Sequence, residues 1–212
     1  MSSGKQISFN NAEDRSQVAG QAIEDLEILE ALIENLSSDQ RRIRQFSASA
    51  IKEVAIQQPN ILLKYVPVIA DGLHRPEAQT RWECLDTLAY VAPLDPSGME
   101  EVIEGAEASL FDEESGMAHL AAIHFLCAYG AQNAKRAAQV WPLIEEGIQV
   151  YHGDPEFVDM LAAVESFASG NIGKVIKEQV RSRMEFDANN YTGTIGRLAV
   201  QIVQICKGGA AK

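Results

Sequence analysis

LSSDQRRIRQFSASAIKEVA (36–55) with YVPVIADGL (65–73), and then LHRPEAQTRWECLDTLAYVA (73–92) with EVIEGAEASL (101–110), decide the fold: one pattern is written twice between Leu36 and Leu110. Moved along by 37 residues, Leu36 falls on Leu73 and Leu73 on Leu110. The same step carries Arg44 to Arg81, Ala48 to Leu85, Ile51 to Leu88, Val54 to Val91 and Ala55 to Ala92. VWPLIEEGI (140–148) repeats the second half again, with Pro67 and Gly72 recurring 75 residues later as Pro142 and Gly147. Self-similarity at this period marks a helical solenoid, in which each unit buries its apolar face only against its neighbours.

The residues Leu36, Asp39, Ile43-Arg44, Ala50-Ile51 and Val66-Pro67 resemble a HEAT repeat of the armadillo-like class. The second copy keeps Thr80-Arg81 and Leu88, with Glu77 near the aspartate position and Glu104 where the proline would stand. The resemblance covers about 36–186. It implies an all-α, right-handed α-α superhelix of about ten helices, with the second helix of each repeat lining the concave surface. It specifies an architecture and not a task, because such architectures serve many functions.

The chain in order supports that organisation. Residues 1–13 read as a flexible arm. A capping helix is expected over 14–36, where Val18, Ala22, Leu26, Leu29, Ile33 and Leu36 recur at three- and four-residue steps. Repeats follow at about 37–73, 74–110, 111–151 and 152–186, then a final helix over 194–206 and a loose tail at 208–212. In the first repeat Asp39 is placed to cap the first helix, and Pro59 to stop it. The second helix is expected at about 60–73, with Pro67 beginning or kinking it. LAAV (161–164) echoes LAAI (120–123), and Asn189-Asn190 is expected to break the chain.

Composition limits the function. The chain has 212 residues with 18 basic and 30 acidic side chains, a net charge of −12. Ten of those acidic residues, and no Lys or Arg, lie between Trp82 and Ala134. Such a field disfavours nucleic acid and anionic membrane and favours a basic protein segment. There is no apolar run long enough to span a membrane and no secretory leader, so a cytoplasmic location is expected. Cys84, Cys127 and Cys206 sit apart among apolar neighbours and read as buried free thiols. His74, His119, His124 and His152 form no metal-ligand spacing, and no His-Glu dipeptide occurs. No cofactor is expected.

Charged faces supply the candidate site. Glu100, Glu101, Glu104 and Glu107 on the second helix of repeat two, and Glu145 and Glu146 on that of repeat three, make an acidic centre. Lys174, Lys177 and Arg181 make a basic stripe on the second helix of repeat four. These residues are the candidate contacts of a non-catalytic interaction module or scaffold. The alternative is an enzyme. Trp82 and Asp86, one helical turn apart, are similar to the tryptophan–aspartate pair of HEAT-like alkylpurine DNA glycosylases. A bilin-lyase-like HEAT protein is the other enzymatic possibility. Against the glycosylase stands the absence of basic residues around Asp86, since such enzymes need cations for phosphates.

Overall fold

The computed structural model describes residues 12–94, 98–112 and 115–208. Eleven α-helices and no strand occur among them: α1 (Ala12–Glu24), α2 (Leu26–Asn35), α3 (Arg41–Gln57), α4 (Val66–Asp71), α5 (Ala78–Val91), α6 (Val102–Leu110), α7 (Gly116–Gly130), α8 (Ala134–Val150), α9 (Phe157–Ser169), α10 (Gly173–Asn190) and α11 (Gly193–Cys206). The odd-numbered helices pack side by side in one row. The even-numbered ones form a second row, packed mainly on the first and touching each other far less. The fold is an armadillo/HEAT-like solenoid, as the repeat predicts.

The repeat register is visible in the core. Leu36, Leu73 and Leu110 are all buried. Leu110 packs on Gly147 and Leu73 on Gly105, where an added Cβ would lie 3.3 Å and 2.8 Å from a leucine methyl. Glycine in a helix weakens it relative to alanine, and here the lost side chain is what lets one repeat's leucine reach the next repeat's second helix. Ala48, Ile51 and Val54 of α3, Leu85, Leu88 and Val91 of α5, and Ala122 and Phe125 of α7 are likewise buried between the rows.

A polar ladder runs beside that core. Arg44 donates to both carboxylate oxygens of Glu77, at 2.5 and 2.9 Å, and to the Ser38 carbonyl at 2.6 Å. One repeat later Arg81 pairs with Asp112 and donates to the carbonyls of Arg75 (3.0 Å) and Pro76 (2.8 Å). Each arginine thus closes its own repeat's entry turn and clamps the acid of the next repeat.

Four local expectations are corrected. The N-terminal helix is two helices, because Asp25 adopts an extended φ of −127° and its carboxylate accepts the Glu27 N–H at 3.0 Å, starting α2. Leu26 is consequently left 54% exposed. Asp39 does not cap α3; the cap residue is Gln40, whose own N–H donates to Ser38 Oγ. The second segment of repeat one is a 3-10 stretch (Pro59–Tyr65) before the short α4, since Pro67 sits in the first turn, where its missing N–H costs nothing. By contrast Pro142, its counterpart, lies inside a continuous α8. Finally, α10 does not stop near Glu185 but runs through Asn189 to Asn190, whose Nδ2 donates to the Phe186 carbonyl at 2.7 Å. The arm over 1–11 and the tail over 209–212 lie outside the described residues.

Candidate functional site

An open groove of about 710 Å³ crosses the first row of helices. It is lined by Lys52 and Ile56 of α3, Asp86, Ala89 and Tyr90 of α5 with the following Pro93, Leu120, His124, Cys127 and Ala128 of α7 with Ala131 and Gln132, and Asp159, Ala162, Ala163 and Ser166 of α9. The groove exists because small side chains stand where α5, α7 and α9 face outward: Ala89, Ala128, Ala162 and Ala163 leave space that leucines would fill. At one end Ile56 and Tyr90 are each 47% exposed, too much apolar surface to be explained by core packing.

A charged network runs along its floor. Lys52 Nζ lies 2.5 Å from Glu83 Oε2 and 3.7 Å from Asp86 Oδ2. Ser49 Oγ donates to Glu83 Oε1 at 2.9 Å. Asp86 Oδ1 lies 3.2 Å from His124 Nδ1. Burial pulls the Lys52 ammonium down, but the hydrogen bond to Glu83 and the charges of Glu83 and Asp86 outweigh it and hold its pKa above the ordinary lysine value. Three consecutive repeats are therefore joined by polar contacts at the groove, and the lysine of α3 is paired there with Glu83 and Asp86.

The structure scatters the residues that sequence reasoning singled out. None of Glu100, Glu101, Glu104, Glu107, Glu145, Glu146, Lys174, Lys177 and Arg181 lines the groove. All nine sit on or beside the second row, whereas the groove opens on the first. Glu100, Glu101, Glu104, Glu107 and Glu146 are exposed, and Glu145 is half-buried. The basic stripe is weakened: Arg181 is held between Glu178 and Glu185, and the Glu178 hydrogen bond raises its pKa. Trp82 and Asp86 do not converge on one site. Asp86 lines the groove, paired with Lys52 and His124, while Trp82 packs half-buried against the core and outside the groove.

The remaining reactive groups are subdued. Burial pushes the Cys84 thiol up to about 12, and the Cys127 and Cys206 thiols upward as well, so none is poised as a thiolate. Among the described residues no His, Cys, Asp and Glu side chains gather into a metal-holding group, and no helix is long and apolar enough to cross a membrane. The groove residues Ile56, Tyr90, His124 and Asp159 escaped sequence reasoning. The available signal was the alanine pair of LAAV, Ala162 and Ala163, which supplies half of the four alanines that open the groove.

Several solved structures that resemble this chain are engineered or designed proteins. A designed armadillo repeat protein superposes with a TM-score of 0.69 at 14% identity, over 93% of this chain and 95% of that one. Another, in complex with the peptide (KR)4, gives 0.71 at 15% identity over 92% and 90%. An engineered protein gives 0.72 at 14% over 93% and 90%. No family model and no curated protein matches the chain. At such identity the likeness establishes an armadillo-like helical repeat fold.

Proposed function

We propose that this chain is a non-catalytic scaffold that binds a polypeptide segment in the first-row groove. One observation carries the reading: the groove spans three inter-helix seams and leaves Ile56 and Tyr90 half-exposed at its rim, where none of the described residues covers them. The related fold in complex with the peptide (KR)4 supports a peptide as the kind of occupant. A reducing cytoplasm suits the three free cysteines. The test is a peptide array probed with wild-type protein and with the double variant Ile56→Ser/Tyr90→Ser. The wild type selects a set of peptides and the variant loses them while keeping its helical circular dichroism; equal binding by both would sink the groove reading.

The second-row acidic face is a second reading, favoured by the exposure of Glu100, Glu101, Glu104 and Glu107, none of which forms an ion pair among the described residues. Such a face recruits a basic partner by long-range attraction and adds to encounter rate more than to affinity.

A further inference from the structure

We propose that the groove selects its occupant by a two-point rule: an apolar side chain seated at the Ile56–Tyr90 end and a cationic side chain on Asp159, at least about five or six extended residues away. This inference rests on the groove reading and specifies its ligand. Charge comes first. Of the ionised side chains lining the groove, Lys52 is neutralised by Glu83 and Asp86, and Asp86 is shared between Lys52 and His124. Asp159, on the opposite wall, takes part in no ion pair among the described residues, and its neighbours on the groove face of α9 are Ala162, Ala163 and Ser166. An exposed carboxylate is ordinarily just solvated. Here it stands in a concave, largely apolar wall, where a bound segment would strip its water, and an uncompensated charge there rejects any occupant that brings no cation. An acidic segment would meet Asp86 and Asp159 with no uncommitted lysine to answer it.

The apolar end is equally defined. Ile56 from α3 and Tyr90 from α5, with Pro93 beside them, form an apolar rim. A half-exposed tyrosine offers a flat apolar face at small entropic cost. The spacing follows from helix packing. Neighbouring helices lie about 8–10 Å apart, so α5 and α9, two steps apart, are separated by about 16–20 Å. An extended chain rises about 3.3 Å per residue, so the two anchors are at least about five or six residues apart, and more once the offset of Tyr90 in the last turn of α5 from Asp159 in the first turn of α9 is added.

The experiment uses three fluorescein-labelled eight-residue peptides, (KL)4, (EL)4 and (KS)4, titrated into the full chain near physiological salt with anisotropy as the readout. The expected result is that (KL)4 binds about tenfold or more tighter than either (EL)4 or (KS)4. Because a basic peptide could adhere to an acidic protein anywhere, Asp159→Lys is compared with Glu34→Lys, which makes the same change in net charge at an exposed position of α2, outside both candidate faces. Asp159→Lys should weaken (KL)4 about tenfold and improve (EL)4, with Glu34→Lys near wild type. Melting temperatures of both variants confirm that the fold is intact. Equal effects of the two lysine variants, or no preference between (KL)4 and (EL)4, would overturn the two-point rule. If Ile56→Ser/Tyr90→Ser still weakens the peptides that bind, the groove itself survives that failure; if it does not, both readings fall together.

Discussion

Arg81 and His119 meet on one residue, Asp112: Arg81 pairs with its carboxylate and His119 Nε2 donates to its carbonyl. His119 thus holds in repeat three the place that Arg44 and Arg81 hold in the first two, each reaching the entry turn of its own repeat. The substitution changes the chemistry of the seam. The His119 ring stacks on Tyr151 with centroids 4.1 Å apart, and the Tyr151 hydroxyl donates to the Leu110 carbonyl. A buried aromatic stack therefore replaces the guanidinium clamp where the repeat spacing lengthens.

The clamp in the first repeat is the place to measure its worth. Arg44 and Glu77 are almost fully buried, with side-chain exposures of 11% and 4%. Removing one partner leaves the other charge without compensation, so Arg44→Leu should cost about 3–5 kcal/mol. The double variant Arg44→Leu/Glu77→Leu should recover most of that loss, because two apolar residues of similar volume replace the pair. Denaturant titration of the four-member cycle gives the coupling; additive effects would show that the two side chains do not act as a pair.

The same pair sets an acid limit. The Arg44 hydrogen bond, with help from Thr80, holds the Glu77 carboxyl below its ordinary value of 4.5 despite the opposing effect of burial. A carboxyl depressed in the folded state contributes stability that is complete above its unfolded pKa and is lost as pH falls through the folded one. Wild-type melting temperature should therefore drop more steeply below about pH 4.5 than that of Glu77→Gln, which has no carboxyl to titrate. Parallel curves would remove Glu77 from the acid response.

Core packing gives the third expectation. Leu88 is completely buried in α5 between α3 and α7. Leu88→Ala should cost about 2–5 kcal/mol, the transfer loss plus the cavity. A change below about 1 kcal/mol would place Leu88 away from the inter-repeat seam.

The architecture was legible because repetition aligns buried positions: Leu36, Leu73 and Leu110 had to be equivalent whatever the details. Helix ends were less so. Asp25 lay inside an unbroken apolar stripe, and its capping competes with helix continuation on terms that periodicity does not register. The groove was illegible for a different reason. Ile56, Asp86 and Asp159 belong to different helices, α3, α5 and α9, and what brings them to one groove is the packing between repeats rather than any one of those helices. Charge counting drew attention to Glu100–Glu107, where acidic residues crowd in sequence, and away from Asp159, whose single carboxylate matters only because α9 faces the groove.

The acidic second-row face can be separated from the groove by a triple variant, Glu100→Gln/Glu104→Gln/Glu107→Gln. All three side chains are exposed, and solvated charges contribute little to folding, so stability should stay within about 1 kcal/mol of wild type. If this face recruits a basic partner, the variant should slow association of (KL)4 at low salt, with little change in dissociation and with the difference vanishing as salt is raised. Stopped-flow anisotropy at two salt concentrations reads both rates. An unchanged association rate at low salt would mean that the acidic run only solvates the outer row. A large loss of stability would mean that these glutamates support α6 rather than face solvent.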